Sequence, residues 1–243
     1  MRKILFATVI CTLALSSCHF FNKGIRGNGV IKSQTRNVTG FNSIHVSGST
    51  DVYVKQDSVF SVRVEAEENL LEYLITETDG STLSIHQKEG TNLNPTKSIK
   101  VYVSGPMFKH FEASGACDIY TENQLSSNET VSINLSGSCD VKMELKAPEV
   151  KADLSGAGTV TLKGETKDLK LDGSGSTDIK CFEMLAENTH LEISGAGDAE
   201  VFANVKLDVH VSGAADVKYK GNGAVNQEVS GAGSVKKVET PNP

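Results

Sequence analysis

Six aspartates recur at one place in a repeated phrase: Asp51, Asp118, Asp140, Asp178, Asp198 and Asp216. If successive repeats stack as strands, these carboxylates lie about 4.8 Å apart and repel by about 1 kcal/mol per pair in water. Calcium, a hard cation that takes several oxygen ligands, would relieve that repulsion at Asp118, Asp140, Asp178, Asp198 and Asp216. The acids come one per repeat, however, with few other oxygen donors beside them. A solvated Ser/Asp ladder is therefore the leading reading and calcium the alternative. Cys117 and Cys139 hold equivalent positions in adjacent repeats, which brings their Cα atoms within disulfide range. Neighbouring parallel strands give such a bond an awkward torsion, and cysteine is also a good small core residue. Bonded and free forms both stay open. Cys181 falls in an apolar column and reads as core. His45, His86, His110, His190 and His210 are scattered without zinc-type spacing, so no metal centre is expected.

The elements that would position these residues follow from the repeat. The phrase is Ser-Gly, two small residues, a polar residue and an apolar one. It starts at Ser47, Ser114, Ser136, Ser155, Ser174, Ser194, Ser212 and Ser230. From Ser114 onward the spacings are 22, 19, 19, 20, 18 and 18 residues. Around each copy the odd offsets are apolar. Ile44, Phe111, Ile133, Leu171, Leu191 and Val209 sit three before the serine, and Val52, Ile119, Val141, Val160, Ile179 and Val217 sit five after it. Period two demands strands with one buried face and excludes a helix. The expected fold is all-β: a single-stranded parallel β-helix of 18–22 residues per coil, whose hand the pattern leaves open. The small residues at offsets +1 and +3 are expected to point inward where the interior narrows.

Residues 40–105 are less regular. Strands are expected at 40–56, 59–66, 82–87 and 98–104. A short helix is expected at 67–75, where Leu70, Leu71, Tyr73 and Leu74 would cap the core. The loop 88–97 reads as the most mobile segment. The span from Ser47 to Ser114 has room for about three degenerate coils, giving one continuous solenoid over 40–238, regular from 106, and a short tail at 239–243.

The amino end reads as an address. Met1-Arg2-Lys3 is a basic start, and Ile4 to Leu15 is an apolar stretch too short to span a bilayer. Leu15-Ser16-Ser17-Cys18 resembles the lipobox of bacterial lipoproteins. That resemblance implies a leader of residues 1–17, acyl chains on Cys18, and a linker over 18–39. Loss of Arg2 and Lys3 would take the net charge from −6 to −8. Residue 19 is His rather than Asp, which favours the outer membrane and leaves the leaflet undecided.

The segment GFNSIHVSGSTDVYVKQ at 40–56, the TLSI strand at 82–85 and the serial SGAGD-like phrases resemble the head-GIN domain family. The resemblance implies a right-handed β-helix and, through the family's name, an adhesin; it carries over no ligand and no functional residue. Composition narrows the function further. A chain of net charge −6 without a basic block is no nucleic-acid binder. A pectinase-like enzyme on this scaffold is the competing reading. A lyase would need an arginine or similar base beside clustered acids, and no Arg follows Arg63. A hydrolase would need two carboxylates at a set separation across the bond. With no Trp, only Tyr53, Tyr73, Tyr102, Tyr120, Tyr219 and the phenylalanines remain for sugar stacking. The expectation is a lipid-anchored, non-catalytic binding or structural protein without cofactor. Its partners would be the membrane, through Cys18, and an envelope protein or polysaccharide.

Overall fold

Alternation of apolar and polar side chains runs through nearly every element, and backbone pairing follows it. The computed structural model describes residues 24–239. The leader, Cys18 and the last four residues lie outside the described residues. The described chain opens with β1 (Ile25–Arg26), β2 (Ile31–Arg36), β3 (Ser43–Gly48) and β4 (Thr50–Gln56). β5 (Ser61–Glu67) leads into a 3₁₀ helix, Glu68–Tyr73, and then come β6 (Leu74–Asp79), β7 (Thr82–Gln87), β8 (Leu93–Asn94) and β9 (Ile99–Gly105). The repeats follow as β10 (His110–Gly115), β11 (Asp118–Thr121), β12 (Leu125–Ser126), β13 (Val131–Gly137), β14 (Asp140–Phe202), β15 (Lys206–Lys220), β16 (Ala224–Gly231) and β17 (Ser234–Lys237). The fold is all-β, and its main sheet curls until it nearly closes, as a barrel wall does.

The repeats pair in parallel and in register, serine on serine. Ser114 lies opposite Ser136, Ser136 opposite Ser155, Ser194 opposite Ser212 and Ser212 opposite Ser230. Each such rung turns its apolar odd offsets inward. Ile44, Phe111, Ile133, Leu171, Leu191 and Val209 are all buried, as are Val52, Ile119, Val141, Val160, Ile179 and Val217. Each of these burials stabilises the fold by about 1.5–3 kcal/mol relative to exposure.

The first part of the chain departs from the expected three degenerate coils. Ser47 pairs directly with Ser114 and Asp51 with Asp118, so those two rungs are immediate neighbours despite the 67 residues between them. Residues 57–109 make an excursion to the other side of the first rung. There β7 runs parallel to β3 and β9 parallel to β4. Two reversals make this possible: β6 folds antiparallel onto β7 through the turn at Gly80 (φ +57°), and β5 lies antiparallel between β2 and β9. The reversed strands blunt this end of the sheet.

The expected helix is a single short 3₁₀ segment that buries Leu70, with Leu71 and Tyr73 packed against the core and Leu74 buried just beyond. Six residues with no side-chain cap are too few to propagate an α-helix. The loop 88–97 is tied down rather than loose. Leu93 is buried, β8 pairs with β1, and Thr96 donates through both its backbone N–H and its hydroxyl to the buried Glu67 carboxylate, each at 2.7 Å.

The motif glycines correct a second expectation. Offset +3 does point inward, with Cys117, Cys139, Thr177 and Ala215 buried. Gly115 at offset +1 does not; it is exposed, with φ +100°. A Cβ there would lie 2.6 Å from the carbonyl oxygen of Gly48 on the rung beside it. Glycine is therefore needed for close approach along the stack and for a left-handed backbone, not for a narrow interior.

Candidate functional site

Two residues before each motif serine, the strand presents an outward side chain, and stacking converts these into a line. In order they are His45, Glu112, Asn134, Asp153, Asp172, Glu192, His210 and Glu228. The pairings His45–Glu112, Glu112–Asn134, Asn134–Asp153, Glu192–His210 and His210–Glu228 are in register. The middle of this line forms one side of an open groove of 570 Å³, whose other side carries the motif serines Ser136, Ser155, Ser174 and Ser194. Gly173 lines it where neighbouring rungs place Leu154 and Ile193, and Leu135 and Leu154 add apolar floor.

Electrostatics mark the same line. Partial burial pushes the Asp153 carboxyl above the usual carboxylate range, and a hydrogen bond shared with Asp172, together with that neighbour's charge, pushes it further; Lys151 opposes. One proton between the two carboxylates relieves their repulsion. With its amide turned to suit its neighbours, Asn134 donates to Asp153 Oδ2 at 3.2 Å. Further along, Asp172, His190 and Glu192 each bring one ligand-type atom within 4.8 Å of the others. The His190 ring lies against His210 at 5.7 Å between centroids.

The aspartate ladder singled out from the sequence stands on a different face and serves the backbone. Asp118 Oδ1 accepts from the Asp140 N–H at 3.3 Å and Asp140 Oδ1 from the Thr159 N–H at 2.8 Å. Asp178 Oδ1 accepts from the Asp198 N–H at 3.3 Å, and Asp216 Oδ1 from the Ser234 hydroxyl at 2.6 Å. These four carboxylates thus each satisfy a donor of the next rung. At Asp51, burial first and the charge of Asp118 second raise the carboxyl, with Lys100 opposing.

Cys117 and Cys139 are free and buried on adjacent rungs, where their thiols donate to backbone carbonyls, Cys117 to Gly48 and Ser114 and Cys139 to Gly115 and Ser136; the neighbouring thiol, then burial, pushes the Cys117 thiol up. Cys181 is a buried core residue whose thiol burial pushes up to about 12. Tyr102, Tyr53 and Tyr120 stack on consecutive rungs, 5.1 and 5.4 Å between centroids, with the Arg63 guanidinium 4.0 Å over Tyr102. The ring faces that meet within this stack are spent on one another. A second hollow, of 810 Å³, includes Pro148, Leu185 and Phe202 in its lining together with charges of both signs, Lys146, Glu165, Lys167 and Glu187, of which Lys146 and Glu165 pair at 3.0 Å.

The groove line was missed from the sequence because its members vary, from His to Glu to Asn, where the aspartate column is nearly uniform. Its signal was available: offset −2 is polar or charged in every repeat and is His, Asp or Glu in most of them. The histidines His190 and His210, scattered by sequence number, come together only through stacking.

The family model described as "Putative auto-transporter adhesin, head GIN domain" matches residues 40–223. The chain belongs to this family. Among solved structures it is similar to a putative adhesin from Bacteroides fragilis, at 20% identity over 88% of this chain and 100% of that one, with a TM-score of 0.83. A putative lipid binding protein from Parabacteroides distasonis matches at 24% identity, over 89% and 100% of the two chains, with a TM-score of 0.72. A putative adhesin from the same species matches at 27%, over 88% and 100%, with a TM-score of 0.64. No curated protein matches this head-GIN chain.

Proposed function

We propose that this head-GIN protein is a lipid-anchored, non-catalytic binding protein of the bacterial cell envelope, built as a right-handed parallel β-helix. In-register parallel rungs 18–22 residues apart support the β-helix, and the lipobox-like LSSC supports anchoring through acyl chains on Cys18. Adhesin names in the family and among similar structures support a surface role. The single observation that carries the binding reading is the groove of 570 Å³ with its line of carboxylates on one side and serines on the other. A row of acceptors at one rung spacing suits an extended polymer bearing hydroxyl or amine donors, an envelope polysaccharide or a basic protein segment.

The test is binding of the full chain to fractionated envelope polysaccharides and to lysine-rich peptides, in buffer containing EDTA. The double variant E112Q/D153N is expected to weaken capture at least about tenfold while leaving the circular dichroism spectrum unchanged. Equal capture by both proteins would overturn the groove as the binding surface. Unsaturated or reducing ends released from polygalacturonate would instead favour the enzyme reading. Replacing Cys18 by Ser should abolish palmitate labelling and release the protein from membranes.

A further inference from the structure

We propose that Asp172, His190 and Glu192 form a binding site for a divalent transition-metal ion, of which Zn²⁺ is the test case. His190 and Glu192 are two residues apart on β14, so their side chains leave the same face of the strand. Asp172 holds the same offset as Glu192 one rung earlier, and stacking sets it alongside. One ring nitrogen and two carboxylate oxygens then lie within 4.8 Å of one another. Metal–ligand bonds of about 2.0–2.2 Å close that triangle with small rotations of exposed carboxylates.

The donor set selects the metal. An imidazole nitrogen with two carboxylates suits zinc and its first-row neighbours, whereas calcium and magnesium take oxygen ligands only. Three protein ligands leave at least one coordination position for water or for a donor of a molecule lying in the groove, whose lining includes Asp172 and Glu192. Competing protein cations are engaged elsewhere: Lys170 pairs with Glu149 at 2.8 Å and Lys206 with Asp208 at 2.6 Å. Among the described residues neither Asp172 nor Glu192 forms an ion pair with lysine or arginine; the Lys170 charge acts on Asp172 only at longer range. The half-buried His190 ring lies beside His210, next to Asp208 on the following rung, with one ring nitrogen within 4.8 Å of an oxygen of each carboxylate of the site. This site is distinct in place and chemistry from the aspartate ladder, whose oxygens serve backbone and hydroxyl donors.

The experiment is calorimetric titration of the untagged, EDTA-stripped full chain with Zn²⁺, and separately with Ca²⁺. The wild type is expected to bind one equivalent of Zn²⁺, and Ca²⁺ at the same concentration not to displace it. His190→Ala and, separately, Glu192→Gln should weaken that equivalent at least about tenfold. Asp140→Asn should leave it unchanged. All three side chains are at the surface or half-buried, and a matching circular dichroism spectrum confirms that each variant is folded. Absence of stoichiometric binding, or Zn²⁺ retained undiminished by His190→Ala, overturns the site; retention would place the metal on thiols or other histidines. Loss of polymer capture in the groove variants without loss of Zn²⁺ separates this site from the binding function.

Discussion

Glu67 is a carboxylate with no access to solvent, and three close donors account for its charge. Gly29 N–H donates to Oε1 at 2.5 Å, and Thr96 supplies both its N–H and its hydroxyl. Burial alone would raise this carboxyl; the hydrogen bonds outweigh it and hold the group below the usual range. A depressed carboxylate contributes stability above its unfolded value, about 4.3, and loses it as pH falls through the folded value. Glu67→Gln should therefore lower Tm at pH 7 and flatten the decline of Tm on acidification below about pH 4.5, as scanning calorimetry would read. Gly27 belongs to the same arrangement, because a Cβ there would overlap the Glu67 carboxylate. Gly27→Ala combined with Glu67→Gln should accordingly destabilise by less than the sum of the two single changes. Thr177 is the opposite case: its hydroxyl is buried without a partner among the described residues. Thr177→Val keeps the shape, removes the unpaired group, and should raise stability by about 1 kcal/mol in urea unfolding. Cys117, Cys139 and Cys181 are all buried. Peptide mapping after iodoacetamide treatment at pH 8 should find all three unmodified in the native protein and alkylated once it is unfolded.

A strand in this protein is specified by its alternation and by one glycine. Gly137, at φ +104°, abuts the Gly115 carbonyl oxygen, so Gly137→Ala incurs both backbone strain and overlap. A loss of about 1–3 kcal/mol is expected from urea titration, against less than about 0.5 kcal/mol for Ser138→Ala beside it. The register of the later repeats was legible because the serine, the glycine and the apolar offsets all recur at the same places, and pairing simply superimposes them. The path of residues 57–109 was not. Parallel and antiparallel strands share period two, so alternation located β5, β7 and β9 without revealing that β5 reverses, and β6, begun inside the expected helix, was not located at all. The 3₁₀ segment Glu68–Tyr73 likewise carries leucines at helical spacing that a short buried cap and an α-helix use equally well. At the site the failure was one of emphasis: uniform aspartates drew the eye, whereas the groove is built from side chains whose common property is only their offset.

The molecule as a whole has two unlike ends. Beneath the first rung the sheet is closed by reversed strands and the 3₁₀ cap; at the other end β16 leaves Val225 and Val229 each 38% exposed. Val211, one rung inward at the same offset as Val229, is 2% exposed. Val229→Lys should change stability by less than about 0.5 kcal/mol, while Val211→Lys, burying a charge without a partner, should prevent accumulation of folded protein. Comparing soluble yield and urea midpoints of the two variants checks this. The displaced order of the rungs has a consequence for biogenesis. A polypeptide emerges from the ribosome amino end first, yet the earliest-made rung, 43–56, lies inside the stack, between 82–105 on one side and 110–121 on the other. The nascent chain can therefore seal one face of its starting template before any of the seven repeats beyond it has been made, and elongation then proceeds in a single direction from a foundation already shielded against stray partners.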